Sequence, residues 1–482
     1  MHVASFALAL LSLVGWAFAS APGSSPDDDF HLASIWCGAG ERAGICEPGP
    51  SAAERRIPAG VIATTCTAFR AESASCIVVD DPYELRATDR VNADGLYPPV
   101  YYFVTSAFAG PDIWGSVAAI RIFNAVVFLA FLGALLALAP RWARAPAVLV
   151  PIVSLVPLGA FLVASVNPSS WAITSALTVM GTLLLIPSSS GRRRIGLAVL
   201  AVLAAGLGAG ARADSGLFSV LAVVVALVIG LRRGRDASWL LGTGAAVVLI
   251  GALGAFAGHQ SAAAGTGLLG TPPTSADEFF QLLRLDLFQV PELWAGALGE
   301  WDLGWFDVPL DAMVWVVGWA VFAMAAFAGL RRVTVRKSLA LVLMLLAMWG
   351  FPLLLQIQTR AAVGAYVQPR YVLPIMVMLL VVALLDERTS AHLADHGAAQ
   401  RWSVVVGLVL SNALALNAVV LRYSAGTIDS TDPDDPGWWW TDAPLLGPGV
   451  VWLLGAAAFA GLLFLVIGVG GRRLAADHEA RR

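Results

Sequence analysis

A series of long apolar segments dominates this sequence and restricts the folds open to it. About 20 apolar residues are enough to cross a lipid bilayer as one helix. Of the 482 residues, 58% are hydrophobic and only 13% are charged. The composition predicts an all-α integral membrane protein, a helical bundle with about twelve spans. The apolar segments are residues 3–20, 116–139, 147–166, 169–186, 195–211, 217–231, 239–257, 311–330, 338–355, 372–385, 403–421 and 449–470.

The first apolar segment, residues 3–20, has two interpretations. Ala17-Phe18-Ala19 resembles a cleavage site, which would make the segment a removable signal peptide. However, Met1 and His2 precede it without the Lys or Arg that normally begins a signal peptide. We therefore expect a retained spanning helix and a single membrane domain over residues 1–482.

Basic residues are unevenly distributed among the loops. The largest groups, such as Arg192-Arg193-Arg194 and Arg331-Arg332 with Arg336 and Lys337, fall in every second loop. Cytoplasmic loops carry such an excess of positive charge. The pattern predicts a plasma-membrane protein with both termini in the cytoplasm and an extracytoplasmic active face. The net charge of -3 does not suggest a nucleic-acid partner.

All four cysteines lie in the first predicted extracytoplasmic loop, residues 21–94. An oxidising compartment favours disulfides, and four cysteines allow three pairings. Their spacing matches no common zinc pattern. We expect a loop of short helices and turns joined by one or two disulfides among Cys37, Cys46, Cys66 and Cys76.

The segment that follows, residues 95–110, is aromatic and apolar but too short to span a membrane. Its proline pair predicts a bent, interfacial segment with tyrosine anchors, beside an apolar groove that accepts a lipid chain. Residues 258–309 and 422–447 are two further predicted extracytoplasmic loops, the first with an amphipathic helix over residues 275–299. The groove candidates are Tyr97, Pro98, Pro99, Tyr101 and Tyr102.

An acidic motif comes directly after the first apolar segment. Ionisable clusters at a membrane boundary are costly and therefore indicate function. Part of the motif also suits a helix start, because Ser25 and Asp28 fit a capping box. A cap does not account for three acids and a histidine, so Asp27 and Asp28 are candidate catalytic residues. Asp29 and His31 are candidate acid–base or metal partners, and a divalent metal is the one cofactor suggested.

Arginines lie at several later boundaries of the same predicted face. The guanidinium group suits bidentate binding of phosphate, which makes Arg212, Arg360 and Arg370 candidates for a donor phosphate site. Each could instead extend to lipid head groups, and Arg212 could pair with Asp214. Arg121 is different, since it lies within the second predicted span.

Five short motifs, in this order, resemble one bacterial family. It is an actinobacterial polytopic membrane family, domain of unknown function 2142, which is grouped with GT-C type membrane glycosyltransferases. The motifs are Pro26-Asp27-Asp28-Asp29-Phe30-His31, Tyr97-Pro98-Pro99-Val100-Tyr101-Tyr102, Asn167-Pro168, Ala211-Arg212-Ala213-Asp214-Ser215 and Gln368-Pro369-Arg370-Tyr371.

The resemblance implies an inverting transfer of sugar outside the cytoplasm. The donor would be a polyprenyl-phosphate sugar, the acceptor a glycan or lipid of the cell envelope, and the catalytic acid Asp27 or Asp28. Many GT-C members have Asp-Glu or Glu-Asp where this chain has three aspartates, so the motif leaves the catalytic acid open. Metal use varies across the class and is not carried over.

Two other classes of protein fit the same topology. A lipid or sugar transporter, or a flippase, would show inverted repeats and broken helices at mid-membrane. A non-catalytic envelope protein would not need acids and arginines on one face. The sequence shows little of the first pattern, because most of its ionisable residues lie at segment boundaries.

Overall fold

The computed structural model describes residues 2–231, 235–258, 275–331, 333–365, 367–387, 389, 397–426, 438–440 and 446–469. Most of these residues are helical, as the apolar segments predict. Short 3-10 helices occur at Ala74–Cys76, Asn92–Asp94 and Ser106–Phe108, and a π-helix at Phe464–Val469. The α-helices are α1 His2–Ala19, α2 Asp28–Trp36, α3 Ala59–Ala63, α4 Val100–Thr105, α5 Ile113–Leu138, α6 Arg141–Ser154, α7 Leu158–Val163, α8 Ser169–Leu185, α9 Gly191–Ala209, α10 Asp214–Gly230, α11 Arg235–Phe256, α12 Ala276–Ala297, α13 Ala312–Gly329, α14 Val335–Thr359, α15 Pro369–Leu384, α16 Ala398–Ala425 and α17 Pro448–Leu463.

Local sequence sets where several helices begin. The Asp112 side chain accepts a hydrogen bond of 2.9 Å from the Gly115 N–H at the start of α5. Ser275 and Glu278 form a reciprocal capping box that begins α12, the helix predicted for residues 275–299. Pro369 lies in the first turn of α15, where its missing N–H has no helical partner to lose.

Small residues bring the helices of the bundle close together. A Cβ atom added at Gly15 of α1 would lie 2.6 Å from the Gly455 Cα of α17. Between α10 and α11, a Cβ atom at Gly216 would lie 2.3 Å from the Gly251 carbonyl oxygen. Such crossings are common in membrane bundles, where close backbone approach replaces the hydrophobic effect between helices. Helices α8 and α15 are buried almost along their whole length and form the centre of the bundle.

The number of spans is only partly established. Within the described residues, six helices are long and apolar enough to cross a membrane by length and composition. Four shorter apolar helices accompany them: Val3–Ala19, Ser169–Leu185, Asp214–Gly230 and Pro369–Leu384. The predicted single span over residues 147–166 is wrong as one helix, because α6 ends before Pro157 and α7 begins after it. The total of about twelve spans remains a prediction.

The first loop contains a small sheet that the all-α prediction missed. Strands β1 Glu47–Pro48, β2 Arg55–Pro58 and β3 Leu85–Thr88 form an antiparallel sheet in the order β1-β2-β3. Ile57 pairs with Arg86 and is fully buried. Strands of two to four residues are too short to show a period-two pattern in the sequence.

Two disulfides form within the first loop, as predicted. Cys37 pairs with Cys46 just after α2, and Cys66 pairs with Cys76 just after α3. Each therefore closes a local turn, which selects one of the three possible connectivities. The disulfides hold segments with little regular structure of their own.

The first loop packs on one end of the bundle. At this end, called the loop end below, α1 and α9 end and α5, α8, α10 and α15 begin. A second hydrophobic core joins the loop to the bundle, with Trp36 and Ile57 from the loop packed in one cluster with Tyr101, Val166 and Trp171. The predicted loops 258–309 and 422–447 are only partly described, since residues 259–274, 427–437 and 441–445 lie outside the described part. The same holds for the C-terminal residues 470–482.

Candidate functional site

Asp27 joins the first loop to the bundle through an ion pair. It directly precedes α2 and has a left-handed backbone conformation, with φ 62°. Its Oδ2 accepts a hydrogen bond of 2.6 Å from Nη2 of Arg370, in the first turn of α15. The Asp27 side chain is one-third exposed, whereas that of Arg370 is buried. Burial raises the pKa of Asp27, but the charge of Arg370 outweighs burial and lowers the pKa below its usual value.

An asparagine–proline turn holds the backbone of the acidic motif. Asn167 is fully buried, and its Nδ2 donates a hydrogen bond of 2.8 Å to the Pro26 carbonyl oxygen. Its Oδ1 accepts a hydrogen bond of 2.9 Å from the Ser169 N–H at the start of α8. The turn therefore positions Asp27 relative to the helices behind it, whereas sequence alone identified Asn167-Pro168 only as one motif of the family resemblance.

A second buried arginine lies beside the first. Arg212, in the turn between α9 and α10, donates a hydrogen bond of 2.7 Å to Asp214 and one of 3.3 Å to the Ser169 hydroxyl. Its Cζ lies 4.7 Å from the ring centroid of Tyr371, and the Cζ of Arg370 lies 5.4 Å from the same centroid. The structure thus brings Asp27, Arg212 and Arg370 together, and Arg212 has the Asp214 partner that the sequence allowed.

Arg370 has hydrogen-bond donors that no group in the described part of the chain uses. Within the described residues, its Nε and Nη1 are buried and have no hydrogen-bond partner. Buried donors are normally satisfied, so each unsatisfied one requires an explanation. A guanidinium group binds carboxylates and phosphates most strongly through two parallel N–H groups, but Asp27 engages Arg370 through one nitrogen. The geometry leaves Arg370 able to bind an additional anion.

Asp28 differs sharply from its neighbour. Its side chain is fully buried, and its Oδ2 accepts a hydrogen bond of 3.0 Å from the Ser25 N–H. This is one of the two hydrogen bonds of the predicted capping box. Ser25 is not the capping residue, however, because Asp27 directly precedes the helix. Burial raises the pKa of Asp28 to about 8, with Arg121 opposing the shift. The Asp28 carboxyl group is therefore mainly protonated at neutral pH.

Asp29, the third acid, has a surface role. Its carboxylate accepts hydrogen bonds of 2.6 and 3.2 Å from Arg90, whose guanidinium group also lies 5.6 Å from the Phe30 ring centroid. Exposed ion pairs of this kind contribute little to stability. Asp29 links α2 to the segment after β3, and its recorded partner is Arg90, not Arg212 or Arg370.

His31 lies one helical turn after Asp27, and its backbone N–H donates to the Asp27 carbonyl oxygen at 2.9 Å. The imidazole is fully buried, and its Nδ1 lies 2.8 Å from the Tyr102 hydroxyl oxygen. The Tyr97 ring packs edge-on against it, with 5.2 Å between ring centroids. The Nε2 atom is buried and has no partner within the described residues.

The tyrosines of residues 95–110 do not lie at an interface with lipid, which corrects the prediction. Tyr101 and Tyr102 are buried, and the Tyr101 hydroxyl donates to the Val166 carbonyl oxygen. The exposed apolar side chains of α4 are instead Val100 and Phe103, three positions apart on one face. The tyrosines therefore join the first loop to the bundle from inside.

The apolar groove predicted beside this segment remains a prediction. A cavity of about 290 Å³ adjoins Pro99 and Tyr102, but first-loop residues that include Glu41 and Arg55 line it as well. Pro98 is buried and lies outside that lining. A pocket with charged walls does not suit a hydrocarbon chain.

Arg360 does not lie with Asp27, Arg212 and Arg370. It follows α14, is exposed, and lies with its Cζ 5.9 Å from the Phe279 ring centroid of α12. Among the described residues, no group of three or more His, Cys, Asp or Glu side chains is arranged to hold a metal ion. His31 and Asp29 therefore do not form a ligand set with other described residues.

Two further buried arginines, Arg121 and Arg422, were not among the site residues predicted from sequence. The Nη1 of Arg121 donates to the carbonyl oxygens of Ala17 and Ser20 at 2.8 and 2.6 Å, which caps the end of α1. Arg422 binds the Asp307 carboxylate at 2.7 Å and several first-loop carbonyl groups. An arginine within an apolar segment signalled the first, but Asp307 and Arg422 are 115 residues apart and nothing local connects them.

Together, the fold and the site define a multi-helix membrane protein with Asp27 and two buried arginines, Arg212 and Arg370, at the loop end. The chain belongs to the family of predicted membrane proteins DUF2142, whose model matches residues 10–379. Among solved structures it is similar to ArnT from Cupriavidus metallidurans in the apo state, with 13% identity, a TM-score of 0.46, and coverage of 96% of this chain and 77% of that one. The comparison with curated proteins gave no match.

Proposed function

We propose that this protein is a membrane glycosyltransferase that moves a sugar from a polyprenyl-phosphate donor to a cell-envelope acceptor on the extracytoplasmic side. One observation carries the proposal: the ion pair between Asp27 and Arg370, beside a second buried arginine, Arg212, that shares the Tyr371 ring. A carboxylate next to two arginines places a proton acceptor beside a site for phosphate.

In this proposal, the arginines bind the phosphate of the donor. The Nε and Nη1 groups of Arg370, which have no partner within the described residues, are available to phosphate oxygens, and Arg212 adds positive charge beside the same Tyr371 ring. When the bond between the anomeric carbon and the phosphate oxygen breaks, the departing polyprenyl phosphate gains a negative charge. Fixed cationic donors in a largely dry site stabilise such developing charge.

Asp27 is the proposed general base. The acceptor hydroxyl oxygen attacks the anomeric carbon from the face opposite the phosphate, and the hydroxyl proton passes to the Asp27 carboxylate. A phosphate bound at Arg370 adds negative charge near Asp27, which raises the low pKa of this group and makes it a better base. Asp28 does not suit this role, because its carboxyl group is buried and mainly protonated.

The test is transfer of radiolabelled sugar from polyprenyl-phosphate donors, in membranes that contain the parent protein or a variant. Asp27→Asn keeps the shape and removes the base, so we expect a loss on the order of 10²–10⁴-fold in rate. Asp28→Asn is the matched control and should keep most of the rate, since Asn resembles a protonated carboxyl group.

Full transfer by a folded Asp27→Asn variant would refute the assignment of the base. If no polyprenyl donor supports transfer by the parent protein, the glycosyltransferase proposal fails. Movement of polyprenyl phosphate across reconstituted vesicles would then favour the transporter that the sequence kept open.

A further inference from the structure

His31 is a buried group that the proposed chemistry above does not use. It lies in α2, four positions after Asp27, and is completely enclosed. Its ring contacts are Phe30, Tyr97 and Tyr102, at centroid distances of 5.9, 5.2 and 6.0 Å. The sequence suggested an acid–base or metal partner at this position.

The hydrogen bond to Tyr102 determines which ring nitrogen carries the proton. If Nδ1 donated to the phenol oxygen, both the phenol O–H and the Nε2 lone pair would lack partners among the described residues. If the phenol donates to Nδ1, only the Nε2–H group lacks one. Buried polar groups without partners are costly, so the second arrangement is favoured. The proton therefore lies on Nε2.

The charges around His31 keep the ring neutral. Burial is the largest cause, and it lowers the pKa of His31 to about 3; Asp27 opposes the shift, while Arg370, Arg212 and Arg90 reinforce it. A ring that does not bind a second proton at neutral pH cannot serve as the general acid. It can still donate one hydrogen bond.

We propose that His31 is a neutral hydrogen-bond donor whose Nε2–H group binds a phosphoryl oxygen of the lipid-linked donor, and that Tyr102 positions it by fixing its tautomer. This inference rests on the proposed phosphate site at Arg370. Nε2 of His31 and Nε and Nη1 of Arg370 are buried N–H groups with no acceptor within the described residues. Asp27 connects the two residues, because it binds Arg370 and its carbonyl oxygen accepts a hydrogen bond from the backbone N–H of His31. One anion with several oxygens would satisfy them all.

The same inference gives the tyrosine motif a function. The Tyr102 hydroxyl acts through His31 and does not itself contact the substrate, so Tyr102 is a positioning residue. Its ring is held edge-on by Tyr97 and Tyr101, at centroid distances of 6.2 and 5.6 Å. This packing leaves the hydroxyl pointing at the imidazole.

The first test is nitrogen NMR of the full-length protein, ¹⁵N-labelled at histidine and reconstituted in vesicles, with His31→Gln used to assign the signal. We expect a single Nε2–H tautomer that does not titrate between pH 5 and pH 8. The titratable and charged groups that face the ring are Asp27, Arg90, Arg212, Arg370 and Tyr97. Addition of undecaprenyl phosphate should shift the Nε2 signal, whereas undecaprenol should not. A titrating ring, an Nδ1–H tautomer or an unchanged signal would each overturn the inference.

The second test measures the affinity for undecaprenyl phosphate. A hydrogen bond to a charged acceptor predicts a loss of roughly 10- to 100-fold in His31→Leu, and His31→Gln should restore most of it because its amide N–H replaces Nε2–H. Tyr102→Phe should weaken binding less and should yield a mixture of tautomers in the NMR spectrum, an effect that loss of packing alone would not produce.

The two proposals can fail separately. Binding that depends on His31 and Arg370, in a protein that transfers no sugar, would support the inference and refute the glycosyltransferase. Transfer that depends on Asp27, with unchanged affinity for undecaprenyl phosphate in a folded His31→Leu variant, would support the glycosyltransferase and refute the inference about His31. If His31→Leu does not fold, the spectrum of the parent protein with undecaprenyl phosphate decides alone.

Discussion

Arg422 and Arg370 lie at the same end of the bundle and are both buried, but their guanidinium groups have different surroundings. Arg370 donates one hydrogen bond, to Asp27, and its Nε and Nη1 have no partner within the described residues. Arg422 donates through all three nitrogens. Its acceptors are the Asp307 carboxylate and the carbonyl oxygens of Thr67, Arg70, Glu72 and Asp307, at 2.6 to 3.1 Å.

The difference separates an arginine that stabilises the fold from one that is available to a ligand. Arg422 ties the segment between Cys66 and Cys76 to the Asp307 loop, and its donors are used up in doing so. Arg370 is held in place by one carboxylate and by the Tyr371 ring, with donors left over. Burial of an arginine is therefore not by itself a sign of function, and Arg370 differs from Arg422 in having two nitrogens without a partner among the described residues.

The largest effect on stability should come from the anchoring region. Arg422→Met keeps much of the side-chain volume but leaves the Asp307 carboxylate and several carbonyl groups without a donor. Loss of one partner from a buried ion pair costs about 3–5 kcal/mol, so we expect a large fall in the thermal midpoint in detergent. Arg370→Met should lower the midpoint much less, because the partly exposed Asp27 can be hydrated. Equal falls in the thermal midpoint of the two variants would contradict the distinction between a stabilising Arg422 and a ligand-binding Arg370.

Removal of the second disulfide should have the next largest effect. Replacement of Cys66 and Cys76 by serine opens a loop of about ten residues and should cost roughly 2–3 kcal/mol of unfolding free energy. Because Arg422 holds carbonyl groups inside that loop, its effect and that of the disulfide should not add up in a double-mutant cycle. Additive losses would contradict a shared anchoring unit. The Cys37–Cys46 pair, which encloses no Arg422 contact, is the control.

A smaller effect is expected for Arg370→Lys. Lysine keeps the positive charge but lacks the planar fork, so the affinity for polyprenyl phosphate should fall about tenfold, or about 1.4 kcal/mol, with little change in unfolding. Arg360→Lys is the matched control, since Arg360 is exposed and lies against Phe279. Equilibrium binding of undecaprenyl phosphate measures both. A loss at Arg360 as large as that at Arg370 would place the phosphate elsewhere.

The effect of Asp28→Asn on stability should depend on pH and should be smallest below about pH 4. The pKa of Asp28 rises from 3.8 to about 8 on burial, so the folded state holds a proton that the unfolded state releases. Its contribution to stability is therefore complete below about pH 4 and is lost as the pH rises towards 8. The variant should unfold with less pH dependence than the parent over this range, as measured by thermal midpoints. A parent whose midpoint rises from pH 5 to pH 8 would contradict the protonated assignment.

Much of the architecture could be predicted because it depends on local composition. Long apolar runs predict helices, and four cysteines confined to one polar stretch predict disulfides within it, both of which the structure confirms. The small sheet and the break at Pro157 were missed. Strands of two to four residues leave no periodic pattern, and an apolar segment interrupted by proline reads as one span by hydropathy alone.

The candidate site could be predicted only as a set of motifs. The sequence placed Asp27, Asp28 and Asp29 in one run, and nothing in that run distinguishes them. In the structure, Asp27 binds Arg370, Asp28 is a buried protonated acid and Asp29 binds Arg90 at the surface. These roles follow from the direction that each side chain takes at the start of α2. The tyrosines that composition assigned to an interface are buried, because their hydroxyl groups find partners inside the protein.

The sequence by itself determined the membrane class, the helical segments, the disulfide-bonded loop and the motifs that identify the family, because each depends on residues close together in the chain. Tertiary structure alone decided which of these motifs meet. Asp27 and Arg370 are 343 residues apart, and Arg422 and Thr67 are 355 apart. Such pairs form only when α15 and α16 pack beside the first loop, and the physical reason is that packing, not local propensity, determines which buried donors find an acceptor.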